Sequence, residues 1–355
     1  MNIFKFFQRP RGTGALIDDR PNEAKEKDYL FKEIVATANS VVWVEKPQSL
    51  WRKFPIFNQN NSGSCVAQTL AKLLGVLYWL KNNVYVHFSA THIYQRRTNK
   101  PYSGMVGVEA LDIARQGVTL EELVPSQNLT DEKMDNAVIE DYKKEVGKIF
   151  KINNYLVLPT NDIETVASVI QTTKKGVMVW FYFTREEWTN HPVIKNPTLD
   201  IFDNETLRHS VTAVDAVLVD GKESLIIEDS WGTSFGLAGQ RVIDKDFFEA
   251  RNFFAAYPMN FAFEEQTTEK PKYTFNMTLS FGQTNEHIKS LQDILKYEGM
   301  FPINTDSTGY YGSITSKGVL LFQKKYKVAS DLELDQLQGK SVGPKTIIKL
   351  NELYS

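Results

Sequence analysis

The stretch Gln59-Asn60-Asn61-Ser62-Gly63-Ser64-Cys65-Val66-Ala67-Gln68 runs from a polar loop into an apolar helix, and the rest of the chain is read outward from it. Cys65 is the only cysteine among 355 residues, and it stands where a helix should begin. From Val66 onward, Leu70, Leu73, Leu74, Val76, Leu77, Trp79 and Leu80 cover nearly every face, which predicts a helix buried in a core. The first turn of a helix leaves backbone N–H groups unpaired and carries the positive end of the macrodipole. Both favour a negative charge, the state in which sulfur attacks a carbonyl. Gln59, six residues upstream, is close enough in a folded loop to place a side-chain amide beside that sulfur. A lone cysteine is by default a small buried hydrophobe, so the nucleophilic reading needs partners from elsewhere in the chain.

The length accommodates two domains with cores of their own. With 42% hydrophobic and 24% charged residues the composition is that of an ordinary globular protein. A formal net charge of -2 gives no bulk attraction to nucleic acid or to an anionic membrane, so neither is an expected partner. One cysteine excludes an internal disulfide. Cysteine–histidine chemistry needs no metal and no cofactor, and none is expected. Met1 to Pro10 is too short in apolar residues for a secretory signal, and no stretch approaches the roughly 20 apolar residues that span a bilayer. Synthesis in the cytoplasm without a signal peptide, and no membrane insertion, are the expectations.

Residues 1–40 mix Arg, Gly, Pro and acids and read as an arm lying on the body, with a short helical pattern from Glu23 to Ala36; a cleavable inhibitory prosegment is the rival reading. Ser40-Val41-Val42-Trp43-Val44 reads as a strand, while Phe88 to Tyr94 and Val108 to Arg115 read as helices, the second closed by Gly117. The character changes near Ile149. Asn154 to Leu158, Gly176 to Phe183, Ser210 to Val219, Ser224 to Glu228 and Gly239 to Ile243 are strand-like, Ile163 to Lys174 is an amphipathic helix, and Asp220-Gly221 marks a hairpin. A helical half followed by an antiparallel half is an α+β arrangement whose natural site is the cleft between halves. The polar, proline-bearing run Glu264 to Lys272 places a boundary there. The resulting division is an arm (1–40), a catalytic domain (41–263), a linker (264–276) and a small all-α domain (277–355).

A thiolate needs a proton acceptor, and His209 is the best placed of five histidines because it opens a strand at the edge of the β-rich half. Asp229 follows the second strand of that hairpin in Glu228-Asp229-Ser230-Trp231-Gly232, from where it can reach the imidazole Nδ1–H and hold the ring. The plainer alternative for Asp229 is a turn cap. Trp231 is suited to covering the Asp–His bond from water, or to filling the core.

Taken together, residues from about 41 to 258 resemble the papain family of cysteine peptidases. The resemblance rests on Gln59 ahead of Gly63-Ser64-Cys65, on His209 opening a strand, and on Asp229-Ser230-Trp231-Gly232-Thr233-Ser234-Phe235-Gly236. It implies a two-subdomain α+β fold, catalysis by Cys65, His209 and Asp229, an oxyanion donor in Gln59, and a peptide or protein substrate. Three residues depart from the pattern: Ser62 where many members have a disulfide cysteine, Val66 for the usual tryptophan, and Asp229 for the usual asparagine. Gly63 and Ser64, Trp231, and the pair Gly104-Met105 are the substrate-side candidates. Only Gly104 matches the paired glycines that accept a substrate backbone, and Met105 is expected to narrow that contact.

The C-terminal residues resemble the three-helix peptidoglycan-binding domain found in wall hydrolases, through Leu291-Gln292-Asp293-Ile294-Leu295, Thr308-Gly309-Tyr310-Tyr311-Gly312, Phe322-Gln323 and Val342-Gly343-Pro344-Lys345-Thr346. Gly312 and Gly343 open a shared Gly-x-x-Thr helix start, an internal echo. From Met277 onward nine lysines, no arginine and eight acids leave +1, so binding there must rest on stacking and hydrogen bonds, with Tyr310 and Tyr311 as candidates. The expected function is a cysteine peptidase carried to the bacterial cell wall, acting there or as part of a phage particle. Two alternatives stand beside it: a peptidase that cuts proteins at the wall, and an inactive adaptor that keeps the fold for binding.

Overall fold

The structure, a computed structural model, describes residues 14–21, 25, 41–47, 54–82, 84–188, 191–195, 197, 206–262, 269–301 and 307–355. The chain divides into two compact units, one of residues 1–81 with 87–261 and one of residues 82–86 with 262–355. The helix expected from Glu23 to Ala36 lies outside the described residues apart from Lys25, as do residues 264–268 of the polar run.

In the first unit, helix α1 (Cys65–Asn82) is almost wholly buried, as its all-round apolar pattern requires. Short helices α2 (Ala90–Tyr94), α3 (Gly107–Gln116), α4 (Asp131–Asp135) and α5 (Asp141–Ile149) complete the helical half. Gly117 closes α3 at φ 112, a backbone region that suits glycine. Strand β1 (Ile152–Val157), helix α6 (Ile163–Thr173), β2 (Val177–Phe183), β3 (Val193–Ile194), β4 (Leu207–Val219), β5 (Lys222–Glu228), β6 (Gln240–Asp244), helix α7 (Lys245–Arg251) and β7 (Asn252–Phe261) follow.

The seven strands form one sheet in the order β1-β7-β2-β4-β5-β6-β3, antiparallel except for β3 on β6. Strands β4 and β5 join through Asp220 and Gly221 at φ 52 and 75, the two positive angles of a type I′ hairpin turn. Val179, Phe181, Val211, Ala213, Leu225 and Ile227 of the sheet pack with Val166 and Ile170 of α6 and Phe247 and Phe248 of α7 in one core. Burial from both sides explains why β2 reads as an unbroken apolar run.

Two expectations change here. Val41 to Val44 makes no strand: one parallel bridge joins the following Glu45 to Leu218, Gln171 bonds the Val42 backbone, and the Val42 and Val44 side chains are exposed. Conversely β7 lies centrally between β1 and β2 although its alanines and Pro258 weaken its β signal.

The second unit holds β8 (Leu279–Ser280), α8 (Glu286–Tyr297), α9 (Ser313–Lys325), α10 (Asp331–Leu337), β9 (Ser341–Val342) and α11 (Pro344–Tyr354). It is helical but not all-α, since β8 pairs antiparallel with β9. The internal echo is a repeated hydrogen-bond device. Gln292 Nε2 donates to Tyr310 O at 2.8 Å and to Thr315 Oγ1 at 3.0 Å. In the second copy Gln323 Nε2 donates to Ser341 O and Thr346 Oγ1, both at 3.0 Å. Gln292 thereby ties α8 to the start of α9, and Gln323 ties α9 to the start of α11. Tyr273 N–H donates to Tyr354 O, and Phe275 is buried beside Asn351, so residues expected in the linker pack on α11.

Candidate active site

Cys65 opens α1, with Gln68 N–H donating to Ser64 O at 2.9 Å to begin the helix. The first turn itself carries no acidic residue, while the Asp131 carboxylate accepts from Gly63 N–H at 2.9 Å in the loop just before it. The loop before it is held without a disulfide. Ser62 Oγ donates to Gln59 O and pairs with Ser64 Oγ, both at 2.7 Å. Gln59 is fully buried; its Oε1 accepts from Ser230 Oγ and its Nε2 donates to Ser62 O at 2.7 Å, which fixes the amide plane. Gln59 N–H donates in turn to Ser230 O at 2.8 Å, so the oxyanion candidate is anchored to the segment that carries Asp229.

His209 lies on β4 opposite Phe181, near the start of a strand that begins two residues earlier than its sequence suggests. Its Nε2 meets Asp229 Oδ1 at 2.8 Å. The bond expected at Nδ1 is therefore at the other ring nitrogen. Nδ1 is the nitrogen left for the thiol: it is buried without a hydrogen-bond partner among the described residues, and the nearby Cys65 favours the charge of the ring. Burial pulls the imidazole pKa down, but the Asp229 charge, the Asp229 hydrogen bond and Cys65 outweigh it and hold it up at about 9. Asp229 is its counterpart: burial raises its pKa, but His209 and Arg241 bring it down to about 2. The pair is thus imidazolium and carboxylate through the neutral range.

Asp229 is no turn cap. Its Oδ2 forms an ion pair with Arg241 Nη2 and accepts a longer bond from Trp188 Nε1 at 3.4 Å. The Arg241 guanidinium carbon lies 4.7 Å from the Trp188 ring centre and 5.8 Å from that of Trp231. Trp231 itself sits 4.8 Å from the imidazole, centre to centre, at 31°. It shields the His209–Asp229 bond and faces the catalytic groups, which corrects its assignment to the substrate side.

Helix α1 is fastened to the sheet along one face. Thr69, one turn after Cys65, donates to Ser210 O at 3.1 Å and accepts from Ser210 Oγ at 3.0 Å, next to His209. Lys72, a further turn on, forms a buried ion pair with Glu228, next to Asp229. Burial holds the Lys72 ammonium below its ordinary range, although Glu228 favours its charge. Positions i, i+4 and i+7 of one helix face therefore set the nucleophile against the base and its orienting carboxylate.

On the substrate side, Met105 is buried, and its backbone rather than its side chain carries the contact. Met105 N–H donates to Gly14 O at 2.7 Å and Met105 O accepts from Leu16 N–H at 3.0 Å, with Ala15 bridged parallel to it. Residues 14–17 form a strap, of which 14–16 occupy the backbone edge expected for substrate. The approach is close: a Cβ on Gly14 would lie 1.8 Å from Gly63 O, and one on Gly104, at φ 92, would lie 2.9 Å from Gly14 O. Gly63 and Gly104 therefore line the strap's path. Ser64 is fully buried against Ser62 and Gln68, so it supports the loop and meets no substrate. Beyond Met105 a pocket of about 370 Å³ is lined mainly by Val106, Val108, Trp180, Tyr182, Phe253 and Phe254, with Leu16 and Ile17 and the charged Asp18 and Lys25 from the N-terminal residues.

In the second unit Tyr311 is buried and donates to Gly339 O at 2.8 Å, which removes it as a stacking surface. Tyr310 remains exposed, as does Phe281 on the adjoining strand edge. Among the described residues no cluster of His, Cys, Asp and Glu is placed to hold a metal, and no helix is long and apolar enough to cross a membrane.

Sequence reasoning missed Arg241, Trp188, Thr69, Ser210, Lys72 and the strap. The one local signal was the acid Asp229 where an amide is usual, which demands a cation nearby.

A family profile described as papain family cysteine protease matches residues 40–249. The fold is similar to that of xylellain, a cysteine protease from Xylella fastidiosa, with a TM-score of 0.54 at 18% identity over 70% of this chain and 96% of that one. It is also similar to the ragweed pollen cysteine protease Amb a 11 in its proform, with a TM-score of 0.50 at 16% identity over 65% and 70% of the two chains. No curated protein matches the sequence.

Proposed function

We propose, for a chain that belongs to the papain family of cysteine proteases, that Cys65 attacks a peptide carbonyl and that the C-terminal unit holds the enzyme on peptidoglycan. The observation that carries the chemistry is a buried His209 bonded through Nε2 to Asp229, which leaves its Nδ1 without a hydrogen-bond partner among the described residues and free to serve the thiol. With the thiol proton already held on His209, the sulfur adds to the carbonyl as thiolate, and the developing oxyanion is met by Gln59 and the Cys65 backbone N–H. His209 then protonates the leaving amine, and water hydrolyses the thioester. Asp229 keeps the imidazolium oriented throughout.

Wall targeting rests on the motifs of the C-terminal unit and on exposed Tyr310 and Phe281, which offer aromatic faces to a sugar. A tether of this kind raises local substrate concentration, to about the millimolar range for a short linker. Delivery at a bacterial wall, or on a phage particle, is consistent with that role. The aromatic pocket beyond Met105 favours a second reading of the substrate: bulky apolar side chains of a protein at the wall rather than the small residues of stem peptides. Incubation with purified sacculi, defined muropeptides and casein, with products read by mass spectrometry, separates the two. Stem-peptide products support the first, casein-only cleavage the second, and undiminished cleavage by Cys65→Ala removes both.

A further inference from the structure

The catalytic carboxylate differs from the usual amide by one negative charge, and that charge is fully buried. An isolated buried carboxylate takes up a proton or drags its neighbours' pKa values with it. The groups facing it are His209 from β4, Arg241 from β6 and Trp188 from the loop after β2, with Lys72 of α1 acting at longer range and itself occupied by Glu228. Among the described residues Arg241 is the permanent cation paired with Asp229, beside the titratable His209. It reaches the site because Gly236, at φ 55, leaves room: a Cβ there would lie 2.3 Å from Arg241 Cγ. The last glycine of the Ser230-Trp231-Gly232-Thr233-Ser234-Phe235-Gly236 run is thus the passage for the arginine stem. Backbone bonds from Asp229 N–H to Gly239 O, and from Gly239 N–H to Phe235 O, hold the loop around it.

We infer that Arg241 is a positioning residue of the hydrolytic site, which cancels the charge of Asp229 so that a carboxylate does the work of an amide. With Arg241 present the Asp229–Arg241 unit is neutral, whichever way the proton lies between Cys65 and His209. Without it the carboxylate binds the His209 proton too tightly for release to a leaving amine. With Arg241 but no carboxylate, an unmatched cation faces the imidazole and opposes its protonation. Asparagine at 229 is therefore not a neutral exchange in this chain, although the family pattern alone suggests it is.

The inference rests on the peptidase reading, so wild type and Cys65→Ala are assayed in parallel with one peptide substrate; loss of that reading shows there and not in the cycle. Arg241→Gln, Asp229→Asn and the double variant are compared by kcat/KM from pH 4 to 10, with circular dichroism to confirm folding. Each single change is expected to lower kcat/KM at least tenfold. Arg241→Gln moves both limbs of the pH profile upward, whereas Asp229→Asn moves the basic limb downward. The double variant, with two neutral amides in contact, recovers to within about fivefold of wild type and regains its limbs. A double variant that is unfolded, or no more active than the weaker single variant, overturns the inference. So does an Arg241→Gln profile whose limbs coincide with wild type.

Discussion

Lys72→Met removes the ammonium that faces Glu228 while keeping most of the side-chain volume. In the wild type both side chains are buried, at 3% and 0% exposure. Glu228 Oε1 keeps two donors in the variant, Gln240 Nε2 at 2.8 Å and Phe54 N–H at 3.1 Å, so Oε2 bears the loss. Breaking one partner of a buried pair destabilises by about 3–5 kcal/mol, and the two remaining donors place this case near the lower end, about 3 kcal/mol. For a unit of this size that corresponds to a fall in Tm of about 6–12 °C. Because Glu228 precedes Asp229 and Lys72 lies on the Cys65 face of α1, kcat/KM falls as well. Thermal unfolding and peptide hydrolysis are measured for Lys72→Met and for Lys72→Met/Glu228→Gln. The double variant regains most of the lost Tm, since the buried charge is gone. A single variant within about 2 °C of wild type, at about 1 kcal/mol or less, refutes the claim that this pair fastens helix to sheet.

Other outcomes follow from the same geometry. His209, raised to about 9, contributes stability that is fully present below its unfolded value near 6.5 and is lost as pH rises through about 9. Asp229, lowered to about 2, contributes stability present above about 4 and lost as pH falls through about 2. Unfolding midpoints should therefore peak between about pH 4 and 6.5, and His209→Ala should flatten the alkaline side; an unchanged alkaline slope speaks against the assignment. Gly14→Val drives a side chain into Gly63 O and expels the strap. With two backbone hydrogen bonds at about 1 kcal/mol each released, kcat/KM should rise tenfold or more, and an unchanged rate means that the strap does not compete with substrate. Tyr310→Ala should weaken co-sedimentation with peptidoglycan without moving Tm, whereas Tyr311→Phe should lower stability by about 1–3 kcal/mol through the abandoned Gly339 carbonyl; equal pelleting of Tyr310→Ala and wild type counts against the stacking face.

What the sequence revealed of the site is what local chemistry announces. Cys65 at a helix start, Gln59 in the preceding loop, His209 near a strand start and Asp229 before Ser230-Trp231-Gly232 each carry a short-range signature. The residues it concealed act through pairings remote in sequence. Arg241 and Lys72 are charged and read as surface groups, because a buried cation is rare unless matched, and its match is set by strand register rather than by its neighbours in the chain. The same holds for the fold: β2 and the β4–β5 hairpin were legible from β-branched runs and an Asp-Gly turn, whereas β7 was hidden by Ala255, Ala256 and Pro258. Val41 to Val44 shows the converse, a strand-like pattern whose only neighbouring bridge among the described residues is at Glu45. The repeat in the C-terminal unit appeared as Gly-x-x-Thr, but its meaning lay in Gln292 and Gln323, each of which bonds the threonine of its own copy.

The most direct test of the whole account is to quench turnover of a peptide ester with acid and locate the acyl group by mass spectrometry. The account places the adduct on Cys65 in wild type, strongly reduced in His209→Ala and absent in Cys65→Ala. Steady hydrolysis with no adduct on Cys65, or turnover surviving its replacement by alanine, would contradict it.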